Sequence, residues 1–191
     1  PPTVVSVSLA TSAPAYLPCG RTIRKINLYA IMACMPVALM AIWNWGLPAA
    51  RVMALSMATC VVVEALCEKA MSRDLAIDDL SAAYAGLLFS FLLPAASPWW
   101  LVVIGAATCM TLGKMVFGGL GANPVSTPLV GWAVLAVSFP LLMDPNAMQL
   151  TTNYLDPLVR LKFFGAASAN SIPFADLLLG RQINGIGAGQ V

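Results

Sequence analysis

The sequence predicts an all-α membrane protein, on three observations. Hydrophobic residues fill 60% of its 191 positions against 9% charged, a balance foreign to soluble domains of this size. The apolar residues fall in runs long enough to cross a bilayer, which takes about 20 residues per helix. Between two such runs, residues 118–131 form a Gly- and Pro-rich stretch. Neither neighbouring helix can continue through it, because Pro lacks an N–H and Gly is poorly held in a helix. Broken backbone at membrane depth has to be buried in protein or line a cavity, since unpaired amide groups are costly in hydrocarbon.

The elements follow in order. Residues 1–25 are mixed in polarity and lack the continuous apolar run of a signal peptide, so insertion falls to the internal spans. Between Lys25 and Arg51 no residue is charged, which predicts the first span, with Pro36 as a kink site and Trp43 and Trp45 as interfacial anchors. A second span covers about residues 49–69 and carries Glu64 near its end. Pro94, Ser97 and Pro98 divide the uncharged stretch 80–113, giving a third helix over 79–93 and a fourth over 99–117. A fifth runs over 128–143, opened by a Ser126/Thr127 N-cap with Pro128 in the first turn. These five spans make up a transmembrane domain of residues 26–143.

Residues 144–191 change character. They are polar and Gly-containing, with an amphipathic piece at 156–164 and an apolar piece at 174–179, each too short to span. The run Gly185-Ile186-Gly187-Ala188-Gly189 reads as the opening of another element. A packed bundle rarely ends so, which predicts a further element or a partner subunit docked there.

Lys and Arg set the orientation. Arg21, Arg24 and Lys25 precede the first helix, and Lys69 and Arg73 follow the second, whereas the loop between them has only Arg51 beside it. The N-terminus is expected on the cytoplasmic side, and after five crossings the C-terminal segment on the periplasmic side. A net charge of +2 gives no case for a nucleic-acid partner.

Histidine is absent, which removes the commonest haem and zinc ligand and the usual general base. The five cysteines (19, 34, 60, 67 and 109) are scattered, odd in number and without a C-x-x-C pair. Cys34, Cys60 and Cys109 are either small apolar fillers or single ligands of a shared iron–sulfur site.

Four features carry candidate chemistry. Asp78 and Asp79 open the third helix, where carboxylates suit the helix dipole and cap amides, or else form a cation-attracting pair at a pore mouth. Glu64 is an intramembrane carboxylate and a functional candidate by default, although Glu68 and Lys69 allow a simple interfacial arrangement. Lys114 either snorkels to the cytoplasmic interface or holds a phosphate or carboxylate at the break. The break itself reads as a half-helix or re-entrant geometry, the alternative being a tight connection between ordinary helices.

Together these residues resemble the RnfD/NqrB family of membrane subunits of bacterial ion-translocating electron-transfer complexes. Ser12-Ala13-Pro14 through Gly20-Arg21-Thr22 resembles the family's S-P-H-x-x-x-G-R-S/T motif, without its histidine. Ile77-Asp78-Asp79-Leu80-Ser81-Ala82, Gly86-Leu87-Leu88 and the Leu93-Pro94 to Trp99-Trp100 run resemble D-G-S-A…G-L-L…L-P…P-W-W. Lys114, Phe117-Gly118-Gly119-Leu120-Gly121, Asn123-Pro124 and Leu129-Val130-Gly131 resemble the K-x-x-F-G-G-L-G-x-N signature, the most specific of the matches. Asp176-Leu177-Leu178-Leu179-Gly180 with Gly185-Ile186-Gly187 resembles D-L-F-L-G…G-S-I-G.

The resemblance implies a bacterial inner-membrane protein with a fold like that of urea transporters, two inverted repeats of five helices, of which this chain holds one. It implies flavin-mediated electron transfer coupled to ion movement beside other membrane subunits. Lys114, Gly118, Gly119, Gly121 and Asn123 would then wall a flavin or ion site, with Glu64, Asp78 and Asp79 on the ion path. Family members carry flavin mononucleotide on a Thr of an S-G/A-A-T-P-L motif. Here Asp156 holds that position, within Asn153-Tyr154-Leu155-Asp156-Pro157-Leu158. A phosphoester needs a hydroxyl, so covalent attachment there is disfavoured, and Thr151 or Thr152 serves only in a shifted register. The expected cofactor is FMN or riboflavin. The rival readings are an accessory subunit that kept the fold without flavin, and a small-solute channel of the urea-transporter type.

Overall fold

The computed structural model describes residues 22–71, 79–119, 121, 123–144, 162 and 186–187. Helix α1 (Ile23–Trp45) begins where Thr22, in extended conformation, accepts a hydrogen bond from the Lys25 amide at 3.4 Å. It carries Pro36 internally and buries only Ala38 and Ala41. Its outer side chains, among them Met32, Leu39 and Trp43, are exposed and apolar, as a lipid-facing helix requires. Gly46, at φ +67°, ends it in a backbone conformation that favours glycine, and α2 (Leu47–Ala70) starts at once with Pro48 in its first turn. These are the two helices long and apolar enough to cross a membrane.

The remaining described helices are shorter: α3 (Ser81–Leu92), α4 (Trp99–Met110) continuing as a π turn over Thr111–Met115, α5 (Thr127–Ser138) and α6 (Pro140–Met143). No strand occurs among the described residues. The all-helical expectation holds, but the third and fifth helices are not the full spans the sequence led us to expect. Each has 12 residues. At 1.5 Å per residue that is about 18 Å, against a hydrocarbon core of about 30 Å.

Proline accounts for the early end of α5. Pro140 has no amide to donate to Ala136, and it pushes the preceding Phe139 out of helical geometry, to φ −134° and ψ 61°. The Phe139 ring turns instead onto Trp100, edge to face at 5.4 Å. The start of α3 also differs from expectation. Leu80, at φ 56°, occupies the N-cap, no side chain caps the helix, and no acidic residue lies in its first turn. Asp79 thus stands outside the helix, where its carbonyl accepts a hydrogen bond from Asn27 Nδ2 at 2.7 Å.

The core lies among α2, α3, α4 and α5, with Phe89, Leu101, Met110 and Leu135 fully buried. Glycines let the backbones close. A Cβ on Gly86 of α3 would sit 2.8 Å from Met57 Cα of α2. Ser56 Oγ reinforces that contact by donating to the Gly86 carbonyl at 2.7 Å. The C-terminal carbonyls of α3 are also met: the amides of Ile186 and Gly187 donate to Leu93 O and Phe91 O, each at 2.9 Å. Ile186 is completely buried by this docking.

Candidate functional site

The site is assembled around Lys114. It rides the π turn that ends α4, where the Val116 amide reaches back five residues to Thr111 O at 3.0 Å. Such turns re-aim one side chain relative to the preceding α-helix and recur at functional sites. Lys114 is 5% exposed, and its ammonium donates to Glu64 Oε1 of α2 and to Ser81 Oγ of α3, the latter at 2.6 Å. Neither role foreseen for Lys114 survives. It cannot snorkel, because it is buried, and it holds no anion, because the carboxylate of Glu64 already neutralises it. Nor does Glu64 rest at an interface with Lys69: it is 3% exposed and its partner is Lys114. Glu68 is buried as well, and both Glu68 and Asp79 lie within electrostatic reach of Glu64.

Past the π turn the chain bends through Gly118, Gly119 and Gly121, at φ +107°, +107° and +88°. Side chains other than glycine rarely adopt these values. The Gly119 amide donates to the Lys114 carbonyl at 3.1 Å, so the residue that anchors the ion pair also anchors the break. Asn123 then turns its Nδ2 to Thr127 Oγ1 at 3.2 Å, at the start of α5. Its Oδ1 is buried and has no hydrogen-bond partner among the described residues. Ser126 holds the N-cap of α5 without a side-chain capping bond; its carbonyl instead accepts from Leu129 and Val130 at 3.0 and 3.3 Å.

These groups face a cavity of about 300 Å³ lined by Asn27, Ser81, Tyr84, Lys114, Asn123 and Thr127. A second cavity of about 300 Å³ adjoins it through Leu88, Ser126 and Pro128 and is lined by the apolar Phe91, Leu92 and Leu129. The pair offers a polar end and an apolar end, and it carries no net positive charge. Sequence reasoning found Lys114, Asn123 and Glu64 but missed Asn27, Ser81 and Tyr84. Asn27 had a signal, as a lone amide near the start of an otherwise apolar span; nothing singled out Tyr84. Asp78, Thr152 and Asp156 lie outside the described residues. Cys60 and Cys109 are buried, Cys34 and Cys67 half-buried. No group of three potential metal ligands occurs among the described residues.

Known proteins share this pattern. Residues 10–191 match the NQR2, RnfD, RnfE family. An ion-translocating oxidoreductase complex protein of Yersinia enterocolitica, one of the membrane subunits of that complex, is 34% identical over 143 residues, covering 72% of this chain and 38% of that protein. Its counterpart in Haemophilus influenzae is 32% identical over 126 residues, or 65% of this chain and 35% of the relative. The counterpart in the Na(+)-translocating ferredoxin:NAD(+) oxidoreductase complex of Acetobacterium woodii is 29% identical over 181 residues, 94% of this chain and 56% of its own. The chain thus spans between about a third and just over half the length of these relatives.

Proposed function

The chain belongs to the NQR2, RnfD, RnfE family, and on that premise we propose that it serves as a membrane subunit of an ion-translocating electron-transfer complex, seating a flavin without a covalent bond. The observation that carries the reading is the buried, unpartnered Oδ1 of Asn123 facing the cavity beside the Lys114–Glu64 pair. An unmet buried acceptor favours a ligand that donates an N–H or O–H to it. The ring system of a flavin carries such an N–H, and its apolar edge suits the adjoining cavity. Asn27, Ser81 and Tyr84 would hold it with Asn123, while Lys114 keeps the break in place. Bound flavin supplies one- and two-electron transfer; the protein's part is to bind and orient it. Because Glu64 neutralises Lys114, the cavity suits an uncharged ring better than a phosphate, and Asp156 offers no hydroxyl for a phosphoester.

Glu64 and Asp79 are our candidates for the ion path, together with Asp78. The subunit would sit in the bacterial inner membrane beside other membrane subunits, with its N-terminus in the cytoplasm, as the Lys and Arg distribution favours. One observation supports the rival accessory reading, the loss of the flavin-bearing threonine at Asp156. Acid extraction of the chain, purified with its partner subunits from bacterial membranes, tests both. Fluorescent flavin in the extract and none on the denatured band is the expected result. An extract without flavin sinks the redox reading in favour of the accessory one, and a fluorescent denatured band sinks the non-covalent one.

A further inference from the structure

Beside the ion pair, α2 and α4 carry a second cross-helix pair. The two helices run parallel: Arg51 Nη2 of α2 reaches Ser97 O just before α4 at one end, and Glu64 meets Lys114 at the other. Cys60 precedes Glu64 by one α-helical turn and shares its face. Cys109 precedes Lys114 by five residues, a spacing that a plain α-helix would rotate out of line and that the π turn over Thr111–Met115 brings back. Cys60 and Cys109 therefore meet one turn from the ion pair. Both are fully buried, their side chains are in hydrogen-bond contact, and Cys60 Sγ lies 3.9 Å from the carbonyl of Ala106 on α4.

The surroundings are tight. A Cβ on Gly86 would lie 3.2 Å from Cys60 Sγ, and one on Gly131 would lie 2.7 Å from Cys109 Cβ. Nothing of ligand size fits between the sulfurs, whereas a bond joining them needs no added room. We propose that Cys60 and Cys109 are a redox-convertible pair, a dithiol that closes to an interhelical disulfide and staples α2 to α4 behind the Lys114–Glu64 contact. Closure removes two electrons and two protons. In the membrane a quinone takes them up and becomes the quinol. In the test, a diazene does so: one sulfur adds to the N=N bond, the second displaces it, and a hydrazine leaves. The staple fixes the helix register on which the ion pair depends. It stands apart from the flavin reading.

The test uses the full chain in membranes with Cys19, Cys34 and Cys67 replaced by Ala, so that Cys60 and Cys109 are its only thiols. Diamide treatment is followed by denaturation with N-ethylmaleimide and peptide mass spectrometry. We expect loss of both alkylatable thiols, a linked Cys60–Cys109 peptide, and full reversal by dithiothreitol. Temperature is set where N-ethylmaleimide labels Cys60 in the same background carrying C109A, which shows that small reagents reach the pair. If both thiols survive diamide at that temperature, the proposal fails. A rise in melting temperature on oxidation, absent with C109A, would show that the bond braces the bundle; no rise would overturn the staple even if the bond forms.

Discussion

Lys114 and Glu64, fifty residues apart in sequence, neutralise each other in the protein interior. The contact ties α2 to the π turn of α4, and Ser81 Oγ ties α3 to the same ammonium. Removing one partner of such a pair strands a buried charge, at a cost of about 3–5 kcal/mol, whereas replacing both is far milder. We therefore expect Lys114→Met to lower unfolding stability in detergent severely, and Glu64→Gln in the Lys114→Met background to restore most of the loss. A double-mutant cycle from denaturation curves measures the coupling. Additive single effects would mean that the pair contributes nothing as a pair.

Asn123 permits a test in which two readouts move oppositely. Its Oδ1 is buried without a partner, so the flavin-free protein bears a desolvation penalty that Asn123→Leu removes. The melting temperature of the flavin-free variant should hold or rise, despite the lost bond to Thr127. Flavin affinity should fall about fivefold, the worth of one hydrogen bond of about 1 kcal/mol. Fluorescence titration reads the second effect. Unchanged affinity would remove Asn123 from the binding site.

How much of this was legible beforehand depended on the range of the interaction. Local chemistry was readable: Pro48, Pro128 and the glycines of residues 118–121 mark helix starts and the break because they act on their own backbone. Helix lengths were less so. Pro140 stood in plain view inside the expected fifth helix, yet apolar composition on both sides of it argued for continuation. The fate of Lys114 was hidden, because its partner Glu64 is remote in sequence and the π turn that aims it leaves no compositional trace. Only Asp78, Thr152 and Asp156, which lie outside the described residues, keep their sequence-based roles unexamined by geometry.

The turn at Gly46 fixes a prediction about orientation. Leu47 is 84% exposed at the apex of the α1–α2 hairpin, whereas Ile23 and Met71 mark its opposite end and are also exposed. With the N-terminus in the cytoplasm, Leu47→Cys in a cysteine-free background should react in intact spheroplasts with a membrane-impermeant maleimide. Ile23→Cys and Met71→Cys should react only after lysis. The reverse pattern would invert the proposed topology.

Gly113 and Gly121 separate close packing from backbone conformation around the break. A Cβ on Gly113 would lie 2.9 Å from Thr127 Cγ2 and 3.1 Å from both Thr127 Cα and Thr127 O, so the start of α5 itself must move. Gly121 has open space around it, and only its φ of +88° resists a side chain. Gly113→Ala should cost about 1–3 kcal/mol by overpacking and should also weaken flavin binding, because Thr127 is the partner of Asn123. Gly121→Ala should cost about 1–2 kcal/mol of backbone strain with affinity nearly intact. Asparagine tells the two causes apart, because it tolerates left-handed backbone but is larger than alanine. Thermal melts should show Gly121→Asn milder than Gly121→Ala, and Gly113→Asn worse than Gly113→Ala. The same ranking at both positions would mean that space at Gly113 is not what requires glycine there.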